Sequence, residues 1–216
     1  MATLQGVYSA SVLDNHDPEG LARVRVRVSG LADTTGGNEL WARVATMMAG
    51  RNRGTWFMPE AGDEVLVAFE RGDLRVPYVI GALWNAKARP PVGADAANDV
   101  KLIRSRNGVT LHIRDDGNNN SLVIETPGGQ RMTLRDGPDS VRIEDSSGNS
   151  VTLATSGVTV NAGARVTINA STVEVNAGLV TVNAGMSRFS GVVQCDTLVS
   201  NAVVSASYSP GAGSQA

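Results

Sequence analysis

The sequence contains a single cysteine, Cys195, and very few aromatic residues. One cysteine excludes a disulfide bond within the chain and a cysteine-based zinc cluster. Aromatic residues make up only 4% of the chain, whereas glycine occurs 24 times. Cores of ordinary globular domains depend on large rings and leucine, but this chain is rich in valine, threonine and alanine. Small β-branched side chains suit narrow, repetitive β structure, so the composition predicts an all-β protein.

The charge is nearly balanced, since the sequence contains 19 basic and 21 acidic residues. Proteins that bind nucleic acid or anionic membranes by charge carry a clear basic excess, so we expect no nucleic-acid partner. No apolar run approaches the ~20 residues that span a bilayer. Residues 1–6 lack the features of a signal peptide. We therefore expect synthesis in the cytoplasm without a signal peptide, followed by export only as part of a larger assembly.

Residues 6–83 have the pattern of a small β domain. Residues 22–28 alternate Ala or Val with Arg, which predicts a half-buried strand with one face in water. Other strand-like segments cover residues 6–13, 40–45, 65–69 and 75–80, and turn-forming residues separate them. No segment has a helical period. About five short strands in this length are typical of an OB-type barrel.

A different pattern follows residues 86–100, which include Pro90 and Pro91 and are predicted to be a linker. Units of two apolar residues at i and i+2, followed by Asn-Ala-Gly or Asn-Ala-Ser, then repeat along the chain. Their asparagines, at positions 161, 169, 176 and 183, are spaced by 8, 7 and 7 residues. Looser copies with longer turns start near Val109, Leu122, Met132, Val141 and Val151. Such self-similarity predicts a repeat architecture.

Each unit places its apolar residues on one face and ends in a tight corner, so successive units wind around an axis. A self-closed left-handed β-helix and a helix intertwined from three chains both satisfy this geometry. The small inward residues and the shortening turns favour an intertwined trimer that tapers towards its end. The predicted shaft core consists of Val158, Val160, Val166, Ile168, Val173, Val175, Val180 and Val182.

Motifs throughout the first part of the chain are similar to those of baseplate assembly protein V. They are Asp17-Pro18, Arg23-Val24-Arg25-Val26, Trp41-Ala42-Arg43-Val44, Gly54, Phe57, Pro59-Glu60-x-Gly62-Asp63-Glu64-Val65-Leu66-Val67-x-Phe69 and Gly72-Asp73-x-x-x-Pro77-x-x-x-Gly81. The chain thereby resembles the central spikes of contractile phage tails, R-type pyocins and type VI secretion. The resemblance implies an OB-fold domain (1–85), a linker (86–100), an intertwined trimeric β-helical shaft (101–208) and a tip or disordered tail (209–216).

The resemblance also implies a function. The expected protein is a membrane-puncturing spike in the baseplate of a virion or of an extracellular contractile particle. Its OB-fold docks to the tail hub, and its homotrimeric shaft pierces the target envelope in transient contact with the membrane. A phage, a pyocin-like bacteriocin and other injection systems would use nearly the same part. At the far end, Tyr208, Ser209, Pro210 and Gly211 form either a platform for a PAAR-type tip protein or a disordered tail.

We expect no enzymatic activity, cofactor or metal. The linker is too short to contain the lysozyme domain of some relatives, and His16 and His112 do not form the His-x-His motif of iron-binding apices. The main alternative function is a receptor-binding or polysaccharide-degrading tailspike, which would share the β-helix but not the N-terminal motifs. A free OB-fold binding protein with a solenoid appendage is another, and it would be monomeric.

Two clusters in the barrel have functional and structural interpretations. The arginine stripe formed by Arg23, Arg25, Arg27 and Arg43 could contact nucleic acid, but its strand carries no stacking aromatic residue, so a solvated or protein-facing strand is favoured. The acidic residues Asp14, Asp17 and Glu19 could bind calcium, but their spacing matches no known calcium loop, and a hydrogen-bonded turn is favoured.

Overall fold

The computed structural model describes residues 5–31, 38–93, 96–137 and 140–207. The chain divides into two compact units, Met1–Arg165 and Val166–Ala216. Regular structure lies in the first unit, and it consists of β-strands apart from one 3₁₀ turn at Glu70–Gly72 among the described residues. The prediction of an all-β chain is therefore confirmed.

The first seven strands are β1 (Val7–Asp14), β2 (Arg23–Val28), β3 (Glu39–Val44), β4 (Ala49–Gly50), β5 (Arg53–Gly54), β6 (Glu64–Phe69) and β7 (Pro77–Leu83). Five of them close into a barrel in the order β1-β2-β3-β7-β6. All neighbours are antiparallel except β3 and β7, which run parallel. The two shortest strands, β4 and β5, pair as a small hairpin between β3 and β6. This is the five-stranded OB barrel predicted from the motifs.

Seven of the ten buried residues of the barrel core are valines. Along β2, Val24, Val26 and Val28 are buried, while the arginines between them face outward. The alternation in the sequence therefore predicted both faces of this strand correctly. The remaining core side chains come from the other four strands: Ala10, Val12, Ala42, Val65, Val67, Phe69 and Val79.

Seven further strands form a separate antiparallel sheet in sequence order. They are β8 (Val100–Arg104), β9 (Thr110–Arg114), β10 (Ser121–Glu125), β11 (Arg131–Arg135), β12 (Val141–Glu144), β13 (Ser150–Ala154) and β14 (Gly157–Asn161). The looser repeats of the sequence correspond to these strands. Their turns close as hairpins with glycine at positive φ, for example Gly108 and Gly129. Within one chain each unit therefore folds back on its neighbour, whereas the sequence predicted units that wind around an axis.

The second unit has a different character. Residues 166–207 contain no strand or helix, and all of their side chains are exposed. Their hydrogen bonds are local, such as the one that Ser205 Oγ donates to the carbonyl oxygen of Ser207 (2.7 Å). The Asn-Ala-Gly and Asn-Ala-Ser repeats from Val166 onward thus have no packed core within the single chain. Across the described residues, no helix is long and apolar enough to cross a membrane.

Candidate functional site: an apolar sheet face

The strand register of the seven-stranded sheet separates its side chains into two faces. Residues that pair across antiparallel strands point to the same side, and successive residues along one strand point to opposite sides. One side carries two aliphatic residues from nearly every strand, and we call it the apolar face. It consists of Ile103, Leu111, Ile113, Leu122, Ile124, Met132, Leu134, Val141, Ile143, Val151, Leu153, Val158 and Val160.

The opposite side, the polar face, is built from charged and hydroxyl side chains. Arg131 donates a hydrogen bond to Glu125 on the adjacent strand (2.9 Å), and Arg142 donates one to Glu144 on its own strand (2.9 Å). Its main apolar residues, Val100, Leu102 and Val123, lie on β8 and β10. The polar face of such a sheet can remain in contact with water, whereas the apolar face has to be covered.

The described part of the chain does not cover the apolar face. Ile103 is 53% exposed, Ile143 48% and Val160 58%. Soluble monomers rarely expose a continuous apolar surface of this extent, so such a surface marks an interaction site. Two of the predicted shaft-core residues, Val158 and Val160, are the last two residues of this face. The face as a whole was not recognised from the sequence, although the i, i+2 spacing of aliphatic residues in each looser repeat was the signal for it.

The other six predicted shaft-core residues lie in the second unit. Val166, Ile168, Val173, Val175, Val180 and Val182 are all exposed there. The single chain does not bring them together, and their assignment to a shaft core stays a prediction. The predicted tip contact at residues 208–211 lies outside the described residues.

One charged residue, Lys101, interrupts the apolar face. It lies on β8, the edge strand that follows the connecting segment (residues 84–99). Lys101 Nζ donates hydrogen bonds to the carbonyl oxygen of Asn98 (2.9 Å) and to Asp115 Oδ2 (3.2 Å). The ammonium group is therefore held at the border of the apolar face, where that face meets the connecting segment.

The acidic turn between β1 and β2 is a structural element. Asp17 accepts hydrogen bonds from the guanidinium group of Arg23 (2.8 and 3.0 Å) and from the backbone N–H groups of Glu19 and Leu21. The Arg23 guanidinium, with help from these N–H groups, holds the pKa of Asp17 well below its usual range. Because its oxygens already have donors, Asp17 organises the turn, in agreement with the favoured interpretation of this cluster. Among the described residues, no group of acidic, histidine or cysteine side chains is arranged to bind a metal ion.

The arginine stripe of the barrel lies beside aromatic rings that the sequence interpretation did not place there. The guanidinium carbon of Arg23 is 5.7 Å from the ring centroid of Trp41, and that of Arg43 is 5.6 Å from the ring centroid of Tyr78. Neighbouring strands supply these rings, so only the cross-strand register could have revealed them. Both rings already form cation–π contacts, and Glu39 accepts a hydrogen bond from Arg27 (2.6 Å). Arg23, Arg27 and Arg43 therefore have partners within the barrel, whereas the buried Nε of Arg25 has no hydrogen-bond partner among the described residues.

Comparison with known proteins identifies both parts of the chain. Residues 8–84 match the OB domain of type VI secretion and phage-baseplate injectors, and residues 121–186 match the C-terminal trimerisation domain of phage baseplate V. The type VI secretion system spike proteins VgrG1a and VgrG1b of Pseudomonas aeruginosa are 36% identical over 72 residues, or 32% of this chain. The match spans about a tenth of their length, 11% and 10% respectively.

The second match covers most of the apolar face. The trimerisation model begins at β10 and continues through β14 into the second unit. Most of the uncovered aliphatic surface therefore lies in a segment whose relatives assemble in threes, which supports a homotrimer. With the barrel matching the injector OB domain, the chain belongs to the phage baseplate V and type VI secretion spike family.

Proposed function

We propose that three copies of this chain form the central spike of a contractile phage tail or a related injection machine. In this spike the barrels dock to the tail hub, and the C-terminal parts form a threefold shaft that pierces the target envelope. The protein would act as a structural component of a virion or a secretion apparatus, without a catalytic step.

The observation that carries the proposal is the uncovered apolar face. Three identical sheets can cover one another if each turns this face towards a common axis, which leaves the polar faces in water. Every strand except β8 contributes two aliphatic side chains, and full burial of one such side chain contributes roughly 1.5–3 kcal/mol. Three chains therefore bring about 10 kcal/mol or more per layer before the loss of chain entropy is subtracted.

The second unit continues the same arrangement towards the C-terminus in the proposed shaft. Its repeats keep two aliphatic residues per unit, but the chain supplies no strand partner for them in residues 166–207. Pairing with two other chains would satisfy both the backbone and the side chains, and it would produce the intertwined β-helix. Few charges interrupt this stretch: Glu174, Arg188 and Asp196 are the charged residues of residues 166–207.

The topology of the barrel suggests where the hub binds. The chain leaves the barrel at Leu83, which pairs with Glu64 at the start of β6. We call this the exit end. The opposite end carries the 3₁₀ turn Glu70–Gly72 and the adjoining ion pair between Asp73 and Arg75 (2.6 Å). Because the shaft departs from the exit end, the hub docks on the opposite end in the proposed spike, and a tip protein would bind beyond residue 207.

The mass in solution tests the proposal, measured by light scattering after size exclusion with an unheated SDS gel alongside. A mass three times the 22.5 kDa of the chain, with a band that resists SDS, is expected for the spike. A monomer would refute the threefold shaft and would favour a binding protein that uses the barrel alone.

A further inference from the structure

The turns of the seven-stranded sheet lie in two rows, because every strand is antiparallel to the next. The turns after β8, β10 and β12 (residues 105–109, 126–130 and 145–149) form one border of the sheet, which we call edge A. The turns after β9, β11 and β13 form the opposite border, edge B. Strand order runs from β8, whose turn contacts the barrel through the ion pair of Arg106 with Glu60 (2.7 Å), to β14. Both edges therefore extend lengthwise, away from the barrel.

Edge A is a closely stacked column of similar turns. In each turn the N–H group of a glycine at positive φ donates to the carbonyl oxygen three residues earlier, and these glycines are Gly108, Gly129 and Gly148. A Cβ atom on Gly108 would lie 3.3 Å from Pro127 Cγ, and one on Gly129 would lie 3.1 Å from Ser146 Cβ. Because neighbouring turns pack this tightly, edge A has a defined shape before a partner binds, which lowers the entropy lost on binding.

A groove of about 540 Å³ follows edge B. Its aliphatic lining residues lie side by side on adjacent strands, and all belong to the apolar face: Ile113, Leu122, Leu134 and Val141. Turn residues such as Asp115 and Asp136 border it. The groove is thus an aliphatic depression in the apolar face with a polar rim, and the described part of the chain leaves it open.

The aliphatic residues beside edge A form a second column on the same face. They pair across adjacent strands in the order Ile103, Leu111, Ile124, Met132, Ile143, Val151 and Val160. In the three middle strands this column is the more exposed one, since Ile124 is 40% exposed, Met132 36% and Ile143 48%. The groove residues of the same strands, Leu122, Leu134 and Val141, are half-buried. The apolar face therefore has a projecting side and a recessed side.

Threefold symmetry determines which edges meet in the proposed spike. When three sheets turn their apolar faces to a common axis, edge A of each copy lies beside edge B of the next copy around the ring. A cyclic threefold interface joins two different surface patches, so like edges do not meet. The projecting column of one copy consequently faces the groove of its neighbour.

We propose that Ile124, Met132 and Ile143 of each protomer pack into the edge B groove of a neighbouring copy. This inference rests on the proposed threefold spike and specifies how its sheets meet. The projecting column and the groove are two halves of one apolar face, and residues 121–186 match the trimerisation domain. Each copy supplies one column and one groove, so three identical contacts close the ring.

Paired cysteines in a Cys195→Ser background test the contact in the full-length protein. Ser147→Cys places one thiol on edge A, and Ser140→Cys places the other on edge B, where β12 begins. Within one chain these positions lie at opposite ends of β12, roughly 15–20 Å apart at about 3.3 Å per residue. A bis-maleimide reagent shorter than this distance should join different chains, so that covalent dimers and trimers appear on a denaturing gel after boiling.

Control variants define the specificity of the cross-link. Ser140→Cys alone and Ser147→Cys alone should stay monomeric on that gel, because like edges do not meet in the proposed packing. Thr133→Cys, on the polar face opposite Arg142, replaces Ser140→Cys in a control pair and should give no products between chains.

A bulky side chain in the groove tests its occupant. Leu134→Trp fills the groove and should reduce the cross-link of the Ser140–Ser147 pair several-fold. Thr133→Trp, at the preceding residue on the opposite face, should leave that cross-link unchanged. Circular dichroism checks that each variant keeps its strand structure.

Light scattering before cross-linking separates this inference from the proposed spike. A mass of three chains without the Ser140–Ser147 product, or with products from a single-cysteine variant, would overturn this inference alone. An unchanged cross-link in Leu134→Trp would show that the groove is not occupied. A monomeric mass would overturn the proposed spike as well.

Discussion

Ile143 on the apolar face provides a direct test of how the sheets pack. The single chain leaves 48% of this residue exposed. Completing its burial in a trimer contributes about half of the roughly 1.5–3 kcal/mol expected for a fully buried isoleucine, or about 2–4 kcal/mol over three chains. Ile143→Ala removes most of this contribution and leaves a cavity that adds to the loss. The trimer dissociation constant should therefore rise about 30- to 900-fold or more.

The matched control is the preceding residue, Arg142, which points to the polar face. Arg142 forms an ion pair with Glu144 at the surface, and exposed ion pairs contribute only about 0–1 kcal/mol each. Arg142→Ala should therefore leave the trimer nearly unchanged. The wild type and both variants are diluted in steps, and their mass is followed by light scattering. All samples contain the same urea concentration, chosen so that the wild-type trimer dissociates within the range of protein concentrations measured.

Either of two results would refute the packing argument. If Arg142→Ala weakens the trimer as much as Ile143→Ala or more, the polar face lies inside the trimer. An Ile143→Ala trimer as stable as the wild type would mean that the apolar face is not buried between chains. Circular dichroism of each variant at high concentration separates these results from a loss of strand structure.

Three further outcomes are expected. Gly54→Ala should lower the melting temperature of the barrel, because its new Cβ atom would collide with a backbone oxygen; differential scanning calorimetry measures this, and an unchanged melting temperature would contradict it. Asp17→Asn should destabilise the barrel at pH 7, because Asp17 has a depressed pKa through Arg23 and thus stabilises the fold above the ordinary Asp pKa of about 3.9. The wild type loses this contribution as the pH falls through the depressed pKa, so the difference in melting temperature should narrow in acid, and a constant difference would count against the ion pair. Val175→Asp should abolish the SDS-resistant trimer band while Glu174→Gln preserves it, and equal bands would exclude Val175 from the shaft core.

The sequence predicted the barrel well because its signals are local. Alternation of valine and arginine in β2 defines which side chains are buried, and the turn residues mark where strands end. The cation–π pairs of Arg23 with Trp41 and of Arg43 with Tyr78 were missed for a physical reason. They depend on strand register between segments far apart in sequence, which a period of two residues does not specify.

The sheet shows a different limit of sequence interpretation. Two aliphatic residues per unit predict one apolar side, and the register confirms such a side from Ile103 to Val160. The same spacing fits a hairpin meander and a winding coil equally well, because both place i and i+2 on one face. Turn chemistry decides between them, and the glycine-containing turns at Gly108, Gly129 and Gly148 fold each strand back on the last. In the proposed spike another copy of the same chain covers the apolar side, so the spacing within one chain does not reveal the partner.

In the proposed spike, the sheet and residues 166–207 depend on partner chains in different ways. In β8–β14 the backbone is paired within the chain, and only aliphatic side chains need cover. In residues 166–207 no strand pairs within the chain, so a shaft built there requires partners for backbone N–H and C=O groups as well as for side chains. Three sheets that pack first would hold the three C-terminal segments at high effective concentration and remove most of the cost of bringing them together. Assembly of the proposed spike therefore follows the order of the chain. The barrel folds first, the three sheets pack next, and the shaft forms last.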